Sequence, residues 1–318
     1  MTRVLLLLAV IGLAACTTDS VTLNTAGICP LVRMAETPVE AHGNMLFVQA
    51  TINRAPVTLL IDTGAERTLL TQSAIDRLQL PRDFQHVTRT IGIGSPTVSW
   101  DAMLPGGLII GGTHFPVDSV SVGNFSIMPV ANSPADGLLG ADILLAFDID
   151  LDLPAQKMIF YRASHDCPDA APPWTEAYIG LTGTTTRRDR LLVPFELDGV
   201  QGMGVLDTGA QISSISQTLA ERMGLDEEQL ETDRTVMAHG AAADQVAVRV
   251  HRFHELRVGP AVMHSPVLPV VPMSDGMGDA LIGADFLRGR RIWLSFSTNR
   301  VFITPLERGP WIAATQGR

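Results

Sequence analysis

The chain carries one segment twice. Sliding it along itself by 145 residues lays IDTGAERTLLTQSAIDRLQL, from Ile61, on LDTGAQISSISQTLAERMGL, from Leu206. The matches run beyond the shared Asp-Thr-Gly-Ala: Thr71 with Ser216, Gln72 with Gln217, Ser73 with Thr218, Arg77 with Arg222, Leu80 with Leu225. Upstream, LFVQATINRAPVTLLI lies on LLVPFELDGVQGMGVL. Each of these predicts a strand, a polar turn (Asn53-Arg54 or Asp198-Gly199) and a second strand ending on an aspartate. The register then slips by two, and ADGLLGADIL, from Ala135, matches GDALIGADFL, from Gly278, at an offset of 143. FDIDLDLPAQKMIFY and RIWLSFSTNRVFIT follow, each a strand, turn and strand. Two long copies are too few for a solenoid. They predict a duplicated β-rich domain.

The rest of the chain fits that organisation. At 318 residues, 46% of them hydrophobic and 18% charged, it has enough material for two packed lobes. The 28 glycines and 20 prolines are scattered between short strands, which predicts an all-β architecture with short helices near residues 71–78 and 216–223. A net charge of −10 without a block of Lys or Arg argues against nucleic acid as a partner. The two densest basic runs, TTTRRDR and RGRR, read as solvated turns. The predicted boundaries are a first lobe over residues 43–165, a Pro-rich linker over 166–188, a second lobe over 189–306 and a tail over 307–318.

The N-terminus carries its own signal. Met1-Thr2-Arg3 is a short basic start, and VLLLLAVIGL is too short to span a membrane but long enough for a signal-peptide core. Leu13-Ala14-Ala15-Cys16 resembles the bacterial lipoprotein signal, in which the cysteine is lipidated and becomes the new N-terminus. The resemblance implies removal of residues 1–15, a lipid on Cys16 as the one membrane attachment, and a tether over residues 16–42 that faces the periplasm. Thr17 is not the aspartate that typically retains such proteins at the inner membrane, so the outer membrane is expected. Cys29 and Cys167 then remain as an even pair in an oxidising compartment, which permits a disulfide between them.

One Asp-Thr-Gly is weak evidence, since a given tripeptide arises by chance at about one position in ten thousand. Two copies at strand ends, each followed 78 or 76 residues later by the glycine of a Leu-Leu-Gly or Leu-Ile-Gly loop, are specific. The chain resembles the aspartic proteases over residues 43–305, and most closely their retropepsin-like branch. DTGAERT fits that branch's motif, and DTGAQIS fits with Ser213 in place of Thr68. Leu139-Gly140-Ala141-Asp142 and Ile282-Gly283-Ala284-Asp285 resemble the family's second signature, which crosses beneath the active loop.

The resemblance implies a bilobal fold in which Asp62 and Asp207 face each other and hydrolyse peptide bonds. Two carboxyl groups that close cannot both ionise, so they share a proton, and one acts as base while the other acts as acid. Retroviral enzymes obtain the second aspartate by dimerising; both are present in this chain, so a monomer is expected. Thr63 and Thr208 are expected to send hydroxyl hydrogen bonds to the opposite loop, while Gly64 and Gly209 allow close approach to the carboxylates. Ala65 and Ala210 stand where the pepsin-like branch usually has a serine that lowers carboxylate pKa, so working pH should be mildly acidic to neutral. The family's flap hairpins are expected around Ile91, Gly92, Ile93 and Gly94 in the first lobe, and Met237, His239 and Gly240 in the second.

Other candidates are weaker. His251, His254 and Glu255 suggest a metal site, but residues three apart on a strand point to opposite faces, and satisfied or solvent-facing histidines are expected. No cofactor, metal or nucleotide is called for. Besides an endopeptidase acting on peptides or proteins, the sequence leaves open a catalytically silent or single-partner peptide-binding protein of the same fold.

Overall fold

A computed structural model describes residues 31–90, 97–123, 135–163, 170–187, 189–239, 245–274 and 276–305. The fold is all-β and bilobal with a few short helices, as the duplication predicts. Each lobe opens on a hairpin: Met45–Ile52 with Ala55–Ile61 in the first, Leu191–Leu197 with Val200–Leu206 in the second. Both turns place two consecutive residues at positive φ, Asn53 and Arg54 at 49° and 68°, Asp198 and Gly199 at 46° and 85°. That is the geometry a two-residue turn needs to match the right-handed twist of its strands. In Leu191–Leu197 every second side chain is buried, so one face of the hairpin seals the lobe's core.

The second strand of each hairpin then reaches its aspartate at a topological crossing. Gly137–Leu139 lies between Ala55–Ile61, to which it runs parallel, and Leu69–Thr71, to which it runs antiparallel. The intervening residues 62–68 must therefore arch over the end of that strand. The second lobe repeats this with Ala280–Ile282 between Val200–Leu206 and Ser214–Ser216. Each arch leads into a short helix, Gln72–Leu78 or Gln217–Arg222. The hydroxyls of Thr71 and Ser216 cap them by accepting from the N–H of Ala74 and Leu219 at 3.2 and 3.0 Å. The matched arginines of those helices have matched work. Arg77 pairs with Asp136, which accepts from Thr58 N–H, and Arg222 pairs with Asp279, which accepts from Met203 N–H.

The lobes meet in a shared sheet. Its strand order is Ile179–Thr182, Arg300–Ile303, Arg291–Ser295, Asp148–Asp152, Lys157–Ala163, Leu31–His42, with the central pair contributed one strand from each lobe. All five residues of Asp148–Asp152 are buried, acids included. Asp150 has no solvent exposure and receives a two-pronged grip from Arg291, Nε to Oδ1 at 2.9 Å and Nη2 to Oδ2 at 2.8 Å. Trp174 Nε1 donates to the same carboxylate at 3.0 Å, and its ring lies 4.8 Å from the Arg291 guanidinium.

Three expectations are corrected here. Residues 31–42, assigned to a tether, form a strand paired first with Lys157–Ala163 and then with Met45–Ile52. Its inward side chains are Ala35, Thr37 and Val39, too small to announce a core face, and Pro38 masks the alternation. The linker is folded as well over residues 170–187: Ala170 and Trp174 are buried, and Ile179–Thr182 is the edge strand of the shared sheet. The RGRR run is not a solvated turn. Arg290 is 4% exposed, donates from Nε to Phe286 O at 3.1 Å, and lies against the Phe286 ring, while Arg291 holds Asp150. Among the described residues no helix is long and apolar enough to cross a membrane.

Arg291→Met leaves the Asp150 carboxylate buried without its cation and is expected to cost about 3–5 kcal/mol of stability. Denaturant unfolding measures this, and pairing the change with Asp150→Asn should recover part of the loss. A loss below about 1 kcal/mol would show that the grip adds little to holding the lobes together.

Candidate active site

The two arches bring their aspartates together. Asp62 N–H donates to Leu139 O and Asp207 N–H to Ile282 O, both at 3.0 Å, so each residue is pinned to the strand its loop crosses. Asp62 Oδ1 accepts from the N–H groups of Gly64 and Ala65 at 3.0 and 2.9 Å. Asp207 Oδ1 accepts from Gly209 and Ala210 at 2.9 and 3.1 Å. Each carboxylate is thus held by its own loop and turned towards the other lobe. A Cβ on Gly64 would lie 2.5 Å from the Asp207 carboxyl carbon, and one on Gly209 would lie 2.4 Å from that of Asp62. Only glycine lets each loop come this close to the opposite carboxylate.

The threonines lock this arrangement. Thr63 Oγ1 donates to Leu206 O at 2.6 Å and accepts from Thr208 N–H at 3.1 Å. Thr208 Oγ1 donates to Ile61 O at 2.8 Å and accepts from Thr63 N–H at 3.1 Å. Both side chains are buried.

A further support lies beneath each arch, and the sequence alone assigned it no role. Asp142 Oδ1 accepts from Thr68 N–H at 2.8 Å and from its hydroxyl at 2.7 Å, and that hydroxyl accepts from Gly140 N–H at 3.1 Å. Asp285 makes the same bonds to Ser213 at 2.8 and 2.7 Å, and Ser213 Oγ accepts from Gly283 N–H at 2.9 Å. Burial raises the pKa of both acids, while the hydroxyl and amide donors oppose it. A Cβ on Gly140 or Gly283 would come within 2.5 or 2.8 Å of the arch backbone, so glycine is required where the strand passes under it. The detectable signal was a hydroxyl and an aspartate repeated at matching places in both copies.

The electrostatics favour a shared proton. Asp62 is pushed up from 3.8 to about 8, first by burial and then by the charge of Asp207, against the two N–H donors that favour its ionised form. Burial also raises Asp207. The N–H groups of Gly209 and Ala210, the Arg190 guanidinium and the Asp62 carboxyl all act to keep it ionised. Asp207 is 9% exposed, whereas Asp62 is only partly buried.

The surroundings depart from two-fold symmetry. TTTRRDR is not wholly a solvated turn, because Arg190 is 6% exposed. Its Nε donates to Gly64 O at 2.8 Å, and its Nη2 lies 3.3 Å from Glu66 Oε1. The residue 145 positions earlier is Met45, whose sulfur meets Gln211 Nε2 at 2.8 Å. On the outer side of the first arch, Arg67 Nη1 lies 3.0 Å from Asp101, which is fully buried and accepts from Thr88 Oγ1 at 2.8 Å. The matching position in the second lobe is Ile212, half of it exposed.

Arg82–Thr90 and Thr97–Met103 form a hairpin beside the first arch, with Phe84, Val87 and Val98 exposed at 87%, 71% and 71%. The flap positions Ile91, Gly92, Ile93 and Gly94 lie outside the described residues. In the second lobe Arg234–His239 pairs with Gln245–Arg252, and Met237 is exposed. His239 is described by its backbone alone, and Gly240 lies outside the described residues, as do Cys16, Cys29 and Cys167. His251 Nδ1 is 2.7 Å from Asp233, His254 is exposed, and Glu255 pairs with Arg257. These three are not gathered into one site.

A family model described as aspartyl protease matches the chain twice, over residues 48–143 and 193–286, one match in each lobe. No curated protein matches it. Each match contains one Asp-Thr-Gly-Ala arch and the strand that passes beneath it, and together they span more than half the sequence. The chain belongs to the aspartyl protease family.

Proposed function

We propose that this protein is an aspartic endopeptidase in which Asp62 and Asp207 share one proton and activate a water molecule. The observation that carries this is the reciprocal approach of the two loops. Each glycine is pressed against the other lobe's carboxylate, and each carboxylate has one oxygen bound to its own loop's amides. In the monoprotonated pair the ionised carboxylate takes a proton from the water as its oxygen attacks the peptide carbonyl. The protonated partner gives its proton to the carbonyl oxygen, so no net charge builds up in the cleft. Collapse of the resulting diol returns a proton to the leaving amine. Thr63, Gly64, Ala65 and their partners Thr208, Gly209, Ala210 keep the two groups in place, and the flap hairpins cover a peptide or protein substrate. The presence of both aspartates in one chain supports a monomer.

The lipoprotein-like start supports export to a bacterial envelope, with Cys16 lipidated and the protease facing the periplasm from the outer membrane. Cys16→Ser is expected to abolish lipid labelling and release the protein from the membrane fraction. Thiol titration in denaturant should find Cys29 and Cys167 unreactive until reduced if they are bridged.

Asp62→Asn and Asp207→Asn are each expected to lower kcat by at least about a thousandfold in a peptide-library cleavage assay while leaving the fold intact. Undiminished cleavage by either variant would remove the proposal, and peptide binding without any cleavage by the wild type would assign a binding role instead. The soluble form lacking residues 1–16 should be most active at mildly acidic to neutral pH, with an alkaline limb near the value of about 8 that Asp62 reaches. A profile peaking near pH 2 would contradict this.

Stability gives an independent readout. The folded protein holds the Asp62 proton more tightly than the unfolded chain does, so the stabilisation is complete below 3.8 and is lost as pH rises through about 8. Asp62→Asn removes that loss. Its unfolding free energy should exceed the wild type's by several kcal/mol at pH 8 and by much less at pH 4, since the rise from 3.8 to about 8 is several tenfold changes in proton affinity, each about 1.4 kcal/mol.

A further inference from the structure

The two carboxylates are nearly equivalent by loop geometry, and a near-symmetric pair has no built-in assignment of acid and base. We propose that Arg190 is the positioning residue that breaks this equivalence, holding the negative charge on Asp207 and leaving the shared proton on Asp62. This rests on the protease function proposed above and extends it by assigning the two roles.

The geometry places a cation on one side of the pair. Arg190 stands at the start of the strand Leu191–Leu197, and its side chain is 7% exposed. Nε donates to Gly64 O at 2.8 Å, and Gly64 is the residue whose Cα faces the Asp207 carboxylate so closely that a Cβ would lie 2.5 Å away. The guanidinium is thus separated from Asp207 by one glycine. Nη1 is buried and finds no acceptor among the described residues. Glu66 pairs with Nη2, but its own side chain is 39% exposed, so water screens the anion far more than it screens the buried cation.

The two counterpart positions are uncharged, and the nearest cation there, Arg288, reaches the arch only through Asn44, which accepts from its Nη1 at 3.2 Å and donates from Nδ2 to Gln211 O at 2.9 Å. Met45 occupies the Arg190 position of the first lobe, and Gln211 occupies the Glu66 position of the second. The loops are otherwise matched bond for bond: two N–H donors on each carboxylate, one hydroxyl crossing each way, one aspartate beneath each arch. Arg190 is among the groups that favour the ionised form of Asp207, whereas the charge acting on Asp62 is that of Asp207, which opposes ionisation. Among the described residues, the charged groups around Asp207 are Asp62 across the cleft, Arg190 behind Gly64 with Glu66 paired to it, Asp142 and Asp285 beneath the two arches, and Arg288 behind Asn44. With the roles fixed, Asp207 is the base towards water and Asp62 the acid towards the carbonyl oxygen.

Arg190→Met, which copies the chemistry of the first lobe, is expected to move the acid limb of the kcat/KM profile up by about one pH unit. The alkaline limb should move less. Carboxyl-carbon NMR on protein labelled at aspartate gives a readout without substrate. In the wild type Asp207 titrates at lower pH than Asp62, with Asp62→Asn and Asp207→Asn assigning the signals, and in Arg190→Met the gap narrows. Arg190→Lys should restore most of the acid limb, because it returns the charge without the planar fork.

If Arg190→Met does not fold, Glu66→Gln decides the matter. It leaves the cation and removes its counter-charge, so the acid limb should fall. Superimposable profiles for Arg190→Met and wild type, or failure of Arg190→Lys to restore the limb of a folded Arg190→Met, would overturn the inference. Retained cleavage in Asp62→Asn or Asp207→Asn would instead overturn the proposed function itself.

Discussion

Two carboxyl groups held this close repel whenever both ionise, so something other than their own attraction must hold them side by side. In this fold that is the reciprocal pair of threonine hydroxyls. Each hydroxyl satisfies the carbonyl of the residue just before the opposite aspartate, Leu206 or Ile61, and accepts the opposite threonine's N–H. Sliding one lobe against the other would break all four bonds together and strand buried donors and acceptors, at about 1–3 kcal/mol each. The carboxylates are therefore set by the last residues of two core strands, not by mobile side chains. The shared six-stranded sheet holds the same register from below, where Arg291 of one lobe grips Asp150 of the other.

The parts of this site that the sequence made legible are those that occur in both copies. Asp-Thr-Gly-Ala, the hydroxyl at Thr68 or Ser213, the capping Thr71 or Ser216, and the Gly-Ala-Asp after each crossing strand all recur. The exchange of Thr68 for Ser213 keeps the oxygen and discards the methyl, and the oxygen is what Asp142 and Asp285 bind. Repetition also explains why the short helices were predictable despite their length. Isolated helices of six or seven residues have no stability of their own. Here each begins on a side-chain cap and buries a small apolar face, and the same pattern appears twice.

What occurs once was not legible. The strand Leu31–His42 buries Ala35, Thr37 and Val39, whose small side chains give a weak alternation, and its stability comes from partners more than a hundred residues away as well as from the adjacent hairpin. The segment between the lobes is rich in proline, but Trp174 anchors it by covering the Asp150–Arg291 pair, and Ile179–Thr182 joins the edge of the shared sheet. Arg190 and Arg290 sit in basic runs that elsewhere mark solvent-facing turns. The burial of Arg190 depends on an acceptor at Gly64, 126 residues away, which only the folded chain brings near, whereas Arg290 bonds the carbonyl of Phe286 four residues before it. Local composition carries no information about such long-range pairings, whereas a duplicated motif carries it in the second copy.

Duplication within one chain also permits something a symmetric homodimer does not. In a two-fold dimer every side chain occurs on both sides of the axis, so no residue can distinguish the two carboxylates in the free protein. Here the copies have diverged around a conserved centre. One side has Arg190 against Glu66, the other Met45 against Gln211; one arch is tied to the strand Thr97–Met103 through Arg67 and Asp101, the other presents Ile212. The bonds that hold the dyad together are kept equal because both lobes must be in register. The groups one layer out are free to differ, because changing them alters charge and access without loosening the threonine lock. A single chain can thereby keep a symmetric mechanical frame and place an asymmetric field upon it.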